Sequence, residues 1–125
     1  MTTQVLIIDD DADTRDALRE FLASWDYDLE VAADGGEGIT LALERRPEVV
    51  LCDIGLPDLD GYEVARRIRS VAPELRLVAL TGSDEDENAA AGIFDDYILK
   101  PAEPDVLRAV IEGVSVVTKG FKARA

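Results

Sequence analysis

Five times along this chain a short apolar run gives way to a stretch with helical spacing, and that alternation restricts the fold more than any other feature. "VLII" (5–8) precedes Ala17, Leu18, Phe21, Leu22 and Trp25, and "LEVA" (29–32) precedes Ile39, Ala42 and Leu43, stopped near Pro47. "VVLC" (49–52) precedes Gly61, Val64, Ala65, Ile68 and Val71; "RLVAL" (76–80) precedes an acidic, alanine-rich segment; "YIL" (97–99) precedes Leu107, Val110, Ile111 and Val114. Runs this short and this apolar read as strands buried on both faces, and the intervening patterns as crossover helices. The expected architecture is a single α/β domain with a parallel five-stranded sheet between two helical layers, in the order 2-1-3-4-5. In such sheets ligands bind beyond the carboxyl ends of the strands, where the strand order reverses between strands one and three.

Asp53 ends the third run, and a carboxylate removed from water without a partner is costly. Asp9, Asp10 and Asp11 follow strand one, Thr81 closes strand four, and Lys100 with Pro101 follows strand five. The expected topology gathers these groups on one edge. Asp9, Asp10 and Asp53 in one cleft repel each other, so their pKa values rise or a cation settles among them. The chain has no histidine and a single cysteine, Cys52, which sits inside an apolar run and reads as core. An all-oxygen donor set favours a hard ion, Mg²⁺, with Mn²⁺ as a substitute. A cation, the Lys100 ammonium and the Thr81 hydroxyl around Asp53 would form a clamp for a phosphoryl group, with Asp53 as acceptor. The missing histidine also excludes zinc sites of the Cys/His kind and Ser-His-Asp triads. With 27 acidic and 13 basic residues, net charge −14, phosphate backbones and anionic membranes would be repelled. No apolar stretch is long enough for a signal peptide or a membrane span, so the cytoplasm is expected.

"VLIIDDD", "CDIGLPDLDGYEVARRIR", "ALTG" and "DDYILKP" together resemble the signature segments of the receiver domains of two-component response regulators, in the family's order. The resemblance runs from Val5 to about Val117. It implies a flavodoxin-like (βα)5 three-layer sandwich, Asp53 as phosphoacceptor, and Mg²⁺ held by Asp10, Asp53 and the Gly55 carbonyl, with Asp9 assisting through water. It also implies that Thr81 and Lys100 contact the phosphoryl oxygens, that Thr81 and Tyr97 form the switch, and that the bond before Pro101 is cis. The phosphoryl group would come from a histidine of a sensor kinase or phosphotransfer protein, and the domain would be a signalling module, not an enzyme beyond its own phosphorylation and dephosphorylation. Gly55 and Ser83, two residues beyond Asp53 and Thr81, would tune hydrolysis of the acyl phosphate. The domain is expected over 1–118, with 119–125 a polar tail or the start of a linker.

Other readings stand beside this one. An EF-hand loop in "PDLDGYE" would place Leu56 and Arg67 where carboxylates are needed, and fails. "DLDG" resembles the nucleophile motif of haloacid-dehalogenase-type phosphatases, but there the motif directly follows a strand, whereas Asp58 and Asp60 lie in a loop and read as a turn and a helix N-cap. A receiver-like scaffold that is never phosphorylated is disfavoured, because no member of the acidic, Thr and Lys set is missing. Asp11 reads as the cap of the first helix. From Thr81 to Lys100 the chain is about one turn, roughly 3.6 residues, shorter than is usual in the family. A short, poorly anchored helix that is the most mobile part of the domain is expected over 84–94.

Overall fold

The structure, a computed structural model, describes residues 3–82 and 92–113. Along them run β1 (Gln4–Ile8), α1 (Ala12–Ser24), β2 (Asp28–Ala32), α2 (Gly35–Arg45), β3 (Val49–Asp53), α3 (Gly61–Val71), β4 (Arg76–Thr81), β5 (Asp96–Leu99) and α4 (Pro104–Ile111). The five strands form one parallel sheet in the order β2-β1-β3-β4-β5, as the alternation predicts. The chain enters at β1, leaves to β2 on one side, and returns past β1 to β3, which opens the edge between β1 and β3.

Each central strand divides its side chains between two cores. Leu6, Ile8, Val50, Cys52, Leu77 and Ala79 face one layer with α2 and α3; Val5, Ile7, Val49, Leu51, Val78 and Leu80 face the other with α1 and α4. The period of two along a strand makes this division obligatory. Leu18 and Leu22 of α1 and Leu107 of α4 are almost completely buried, and burial of each stabilises the fold by about 1.5–3 kcal/mol. Gly38 lets α2 lie close on β1, since a Cβ there would meet the Ile8 side chain at 2.5 Å.

Aspartates start three helices. Asp11 accepts from the Thr14 N–H (3.3 Å) and hydroxyl (2.7 Å), Asp34 from the Glu37 N–H (2.8 Å) and Asp60 from the Glu63 N–H (2.8 Å). Glu37 returns its carboxylate to the Ala33 N–H at 3.0 Å, completing a capping box. The helix expected between β4 and β5 lies largely outside the described residues, as do Ser83, Val114 and the boundary near residue 118.

Two positions differ from the helical pattern. Val71, assigned to the apolar face of α3, is 54% exposed, because the chain turns at the helix end and the fully buried Ala72 takes the core position. Ala17 is exposed, and α1 is anchored by Leu18 and Leu22 instead.

Candidate functional site

β1 and β3 are neighbours in register, Ile8 opposite Cys52, so the residues that follow, Asp9 and Asp53, emerge side by side. Asp53 pairs across to Leu80 in β4, and the Lys100 N–H donates to the Thr81 carbonyl at 2.7 Å. Residues spread over ninety positions thus meet on one edge. Carboxylate oxygens of Asp9, Asp10 and Asp53 all lie within 4.8 Å of one another, with Asp9 and Asp53 buried and Asp10 exposed.

The Lys100 ammonium sits between two of these acids, 2.8 Å from Asp9 Oδ2 and 3.2 Å from Asp53 Oδ1. Asp9 is fixed from every side: its N–H donates to the Ala32 carbonyl, its Oδ1 accepts from the Asp11 N–H, and its carbonyl accepts from Arg15 Nη1 at 2.8 Å. Sequence reasoning placed Asp9 near the cation through water. The structure also makes it the direct partner of Lys100, a contact that local sequence could not signal because it joins opposite ends of the chain.

Burial, followed by the charge of Asp9, raises the Asp53 carboxyl above its ordinary value, and the attraction of Lys100 offsets only part of this. Burial on its own would lower the Lys100 ammonium, but its contacts with Asp9 and Asp53 outweigh burial and raise it. Burial drives the Cys52 thiol far upward, so it is inert core.

Thr81 is 2% exposed at the end of β4, and Tyr97 is 7% exposed in β5. Tyr97 already lies inward, in the same core cluster as Ala79, Leu56 and Phe94. The Lys100–Pro101 peptide is cis. Gly55 is exposed just beyond Asp53; its N–H donates to Asp53 Oδ1 at 3.4 Å, and an added Cβ would meet nothing within 4 Å. Gly61 is the opposite case: it opens α3 against the end of β3, where an added Cβ would stand 2.5 Å from the Asp53 carbonyl oxygen. Asp58, read from sequence as part of a turn, lies in the bend before α3 and in addition accepts at the start of α2.

The donor chemistry suits a hard divalent cation: three clustered carboxylates with no histidine or thiolate among them.

Sheet order and edge chemistry define a doubly wound α/β domain with an acidic, lysine-paired site at its topological switch point. The family model of the response regulator receiver domain matches residues 5–112. The chain belongs to the response regulator receiver domain family. It is 38% identical over 104 residues to response regulator MprA of Mycobacterium sp. (strain KMS), covering 81% of this chain and 45% of that protein. It is 34% identical over 122 residues to MprA of Mycobacterium bovis (strain BCG / Pasteur 1173P2), covering 95% and 53%. The chain therefore spans about half the length of the curated relatives it matches. Among solved structures, a CheY-like receiver domain protein from Methanospirillum hungatei JF-1 superposes with a TM-score of 0.83 at 30% identity, covering 91% of this chain and 94% of that one. The Saccharomyces cerevisiae Ssk1 receiver domain, crystallised with the histidine phosphotransfer protein Ypd1, gives 0.85 at 25% identity, covering 94% and 91%. As a receiver domain of two-component systems the chain is a signalling module, and the dehalogenase and scaffold readings are not favoured. Among the described residues no helix is long and apolar enough to cross a membrane.

Proposed function

We propose that the chain accepts a phosphoryl group on Asp53 from a histidine of a sensor kinase or phosphotransfer protein. The single observation that carries this is Lys100 Nζ, 3.2 Å from a raised-pKa Asp53 carboxylate that also adjoins Asp9 and Asp10. An Asp53 oxygen attacks phosphorus, the bond from phosphorus to the imidazole nitrogen breaks, and that nitrogen keeps the electron pair. Lys100 supplies a fixed positive charge for the phosphoryl oxygens, and Thr81 a hydroxyl donor from the end of the next strand. Asp10, Asp53 and the Gly55 carbonyl would hold Mg²⁺, or Mn²⁺, which offsets phosphoryl charge when bound. Tyr97 and Thr81 form the switch that relays the change to a partner.

The donor must reach Asp53, so its surface must cover ground beside Lys100. A groove of about 340 Å³ lies there, its apolar floor including Ala17, Phe21 and Ala102 and its rim Asp13, Thr14 and Lys100, and it is the proposed ground for docking the phosphodonor. The Ypd1 complex of the similar Ssk1 receiver supports a partner of this kind. A cytoplasmic setting suits such a donor, and the net charge of −14 argues against direct nucleic-acid binding by this chain. The domain is proposed to span 1–118, with 119–125 as tail or linker.

Incubation with Mg²⁺ and acetyl phosphate, followed by intact mass, tests the reading: one added phosphoryl group per chain is expected. Multiple turnover on many phosphate esters would favour a phosphatase, and no adduct a phosphorylation-independent scaffold. Asp10→Ala is expected to weaken Mg²⁺ binding and phosphorylation while the protein stays folded; an unchanged magnesium titration would remove Asp10 from the site.

Gly55→Lys addresses lifetime. The open space around Gly55 accepts a long side chain, which would shade the acyl phosphate from water. Decay of the purified phosphoprotein is expected to slow about threefold, under 1 kcal/mol in barrier, and decay at the parent rate would count against Gly55. Ser83→Tyr is expected to act in the same direction, although Ser83 lies outside the described residues.

A further inference from the structure

Asp58 sits in the middle of loop 54–60, which carries Gly55, and its carboxylate reaches out of that loop to another element. Oδ1 accepts the Gly35 N–H at 2.8 Å and Oδ2 the Gly36 N–H at 3.0 Å. These are the first two N–H groups of α2, and the third, that of Glu37, goes to the helix's own cap, Asp34. Helices leave such groups without internal partners, and the positive end of the helix favours a carboxylate there. The two backbone bonds hold the Asp58 carboxyl below its ordinary range. Gly35 permits the approach: a Cβ at this buried position would lie 2.9 Å from Val64 Cγ2 and 3.1 Å from Asp58 Oδ1.

Since α2 already has a capping box in Asp34 and Glu37, the second cap acts chiefly on the loop. The loop is closed at its ends by the Gly61 N–H on the Ile54 carbonyl (2.7 Å) and the Ile54 N–H on the Leu80 carbonyl (3.2 Å). Between them Gly55, Pro57 and Asp58 are exposed. We propose that Asp58 is a positioning residue for the cation site, clasping α2 so that the loop offering the Gly55 carbonyl is ordered before the ion arrives. This rests on the reading that Asp10, Asp53 and Gly55 hold Mg²⁺. An unclasped loop must be ordered at the moment of binding, and that cost appears as lost affinity.

Calorimetric titration with Mg²⁺ tests it. Asp58→Ala is expected to weaken affinity about tenfold, the scale of supporting contacts around metal ligands, and to raise the Mg²⁺ concentration for half-maximal phosphorylation by acetyl phosphate equally. Asp58→Asn keeps an acceptor oxygen without the charge and falls between. Asp34→Ala removes the helix's own cap but leaves the loop clasped, so its Mg²⁺ affinity stays at the parent value. Parent-like affinity in Asp58→Ala, or an equal loss in Asp34→Ala, overturns the positioning role. Asp10→Ala run alongside separates the two levels: if it loses Mg²⁺ while Asp58→Ala does not, only the clasp fails. If Asp10→Ala also binds like the parent, the cation site itself is misassigned and the clasp falls with it.

Discussion

Asp53→Asn is expected to abolish acid-stable, hydroxylamine-labile phosphorylation and, in the absence of Mg²⁺, to raise the melting temperature at neutral pH. The first effect follows from removing the one carboxylate that Lys100 holds at the end of β3. The second follows from its raised pKa, caused by burial and then by Asp9. Because the folded carboxyl binds its proton more tightly than the unfolded one, the stability it contributes is fully present below the unfolded value of 3.8. That stability is lost as pH rises through the raised folded value. At neutral pH the ionised Asp53 is therefore a cost, which the amide removes; the gain in melting temperature is expected to narrow as the pH falls toward 3.8. Labelling of the variant at the parent level would sink the assignment, and a lower melting temperature at neutral pH would show that the Lys100 contact outweighs burial.

Gly61→Ala is the second large effect. An added Cβ would stand 2.5 Å from the Asp53 carbonyl oxygen and 2.7 Å from the Ile54 Cα. Both neighbours are backbone, so neither can swing aside as the end of a long side chain would. Either α3 lifts from β3, lengthening the 2.7 Å bond between the Gly61 N–H and the Ile54 carbonyl, or the end of β3 moves and takes Asp53 with it. Overpacking of this kind costs about 1–3 kcal/mol, which a urea midpoint will register, and phosphorylation by acetyl phosphate should slow as Asp53 moves relative to Lys100. A parent-like midpoint and rate would show that the strand end yields freely.

Much of this protein was legible in its sequence because the relevant signals are local. Apolar runs such as Val49–Cys52 and the helical spacing of Val64, Ala65 and Ile68 are short-range patterns, and burial on both faces leaves a parallel sheet as the solution. The caps Asp11 and Asp60 lie next to the N–H groups they satisfy, so chemistry a few residues wide specified them. The acidic group, Thr81 and Lys100 could be placed on one edge because every strand's carboxyl end points the same way in a parallel sheet. Tertiary structure decided what depends on distance between elements. It gave Lys100 to Asp9 as well as to Asp53, turned Asp58 from a loop residue into the clasp on α2, and chose Ala72 over Val71 for the core. Periodicity states which face a side chain is on; only the packed sheet and helices set the ångström-scale separations on which an ion pair, a cap between elements or a buried methyl depends.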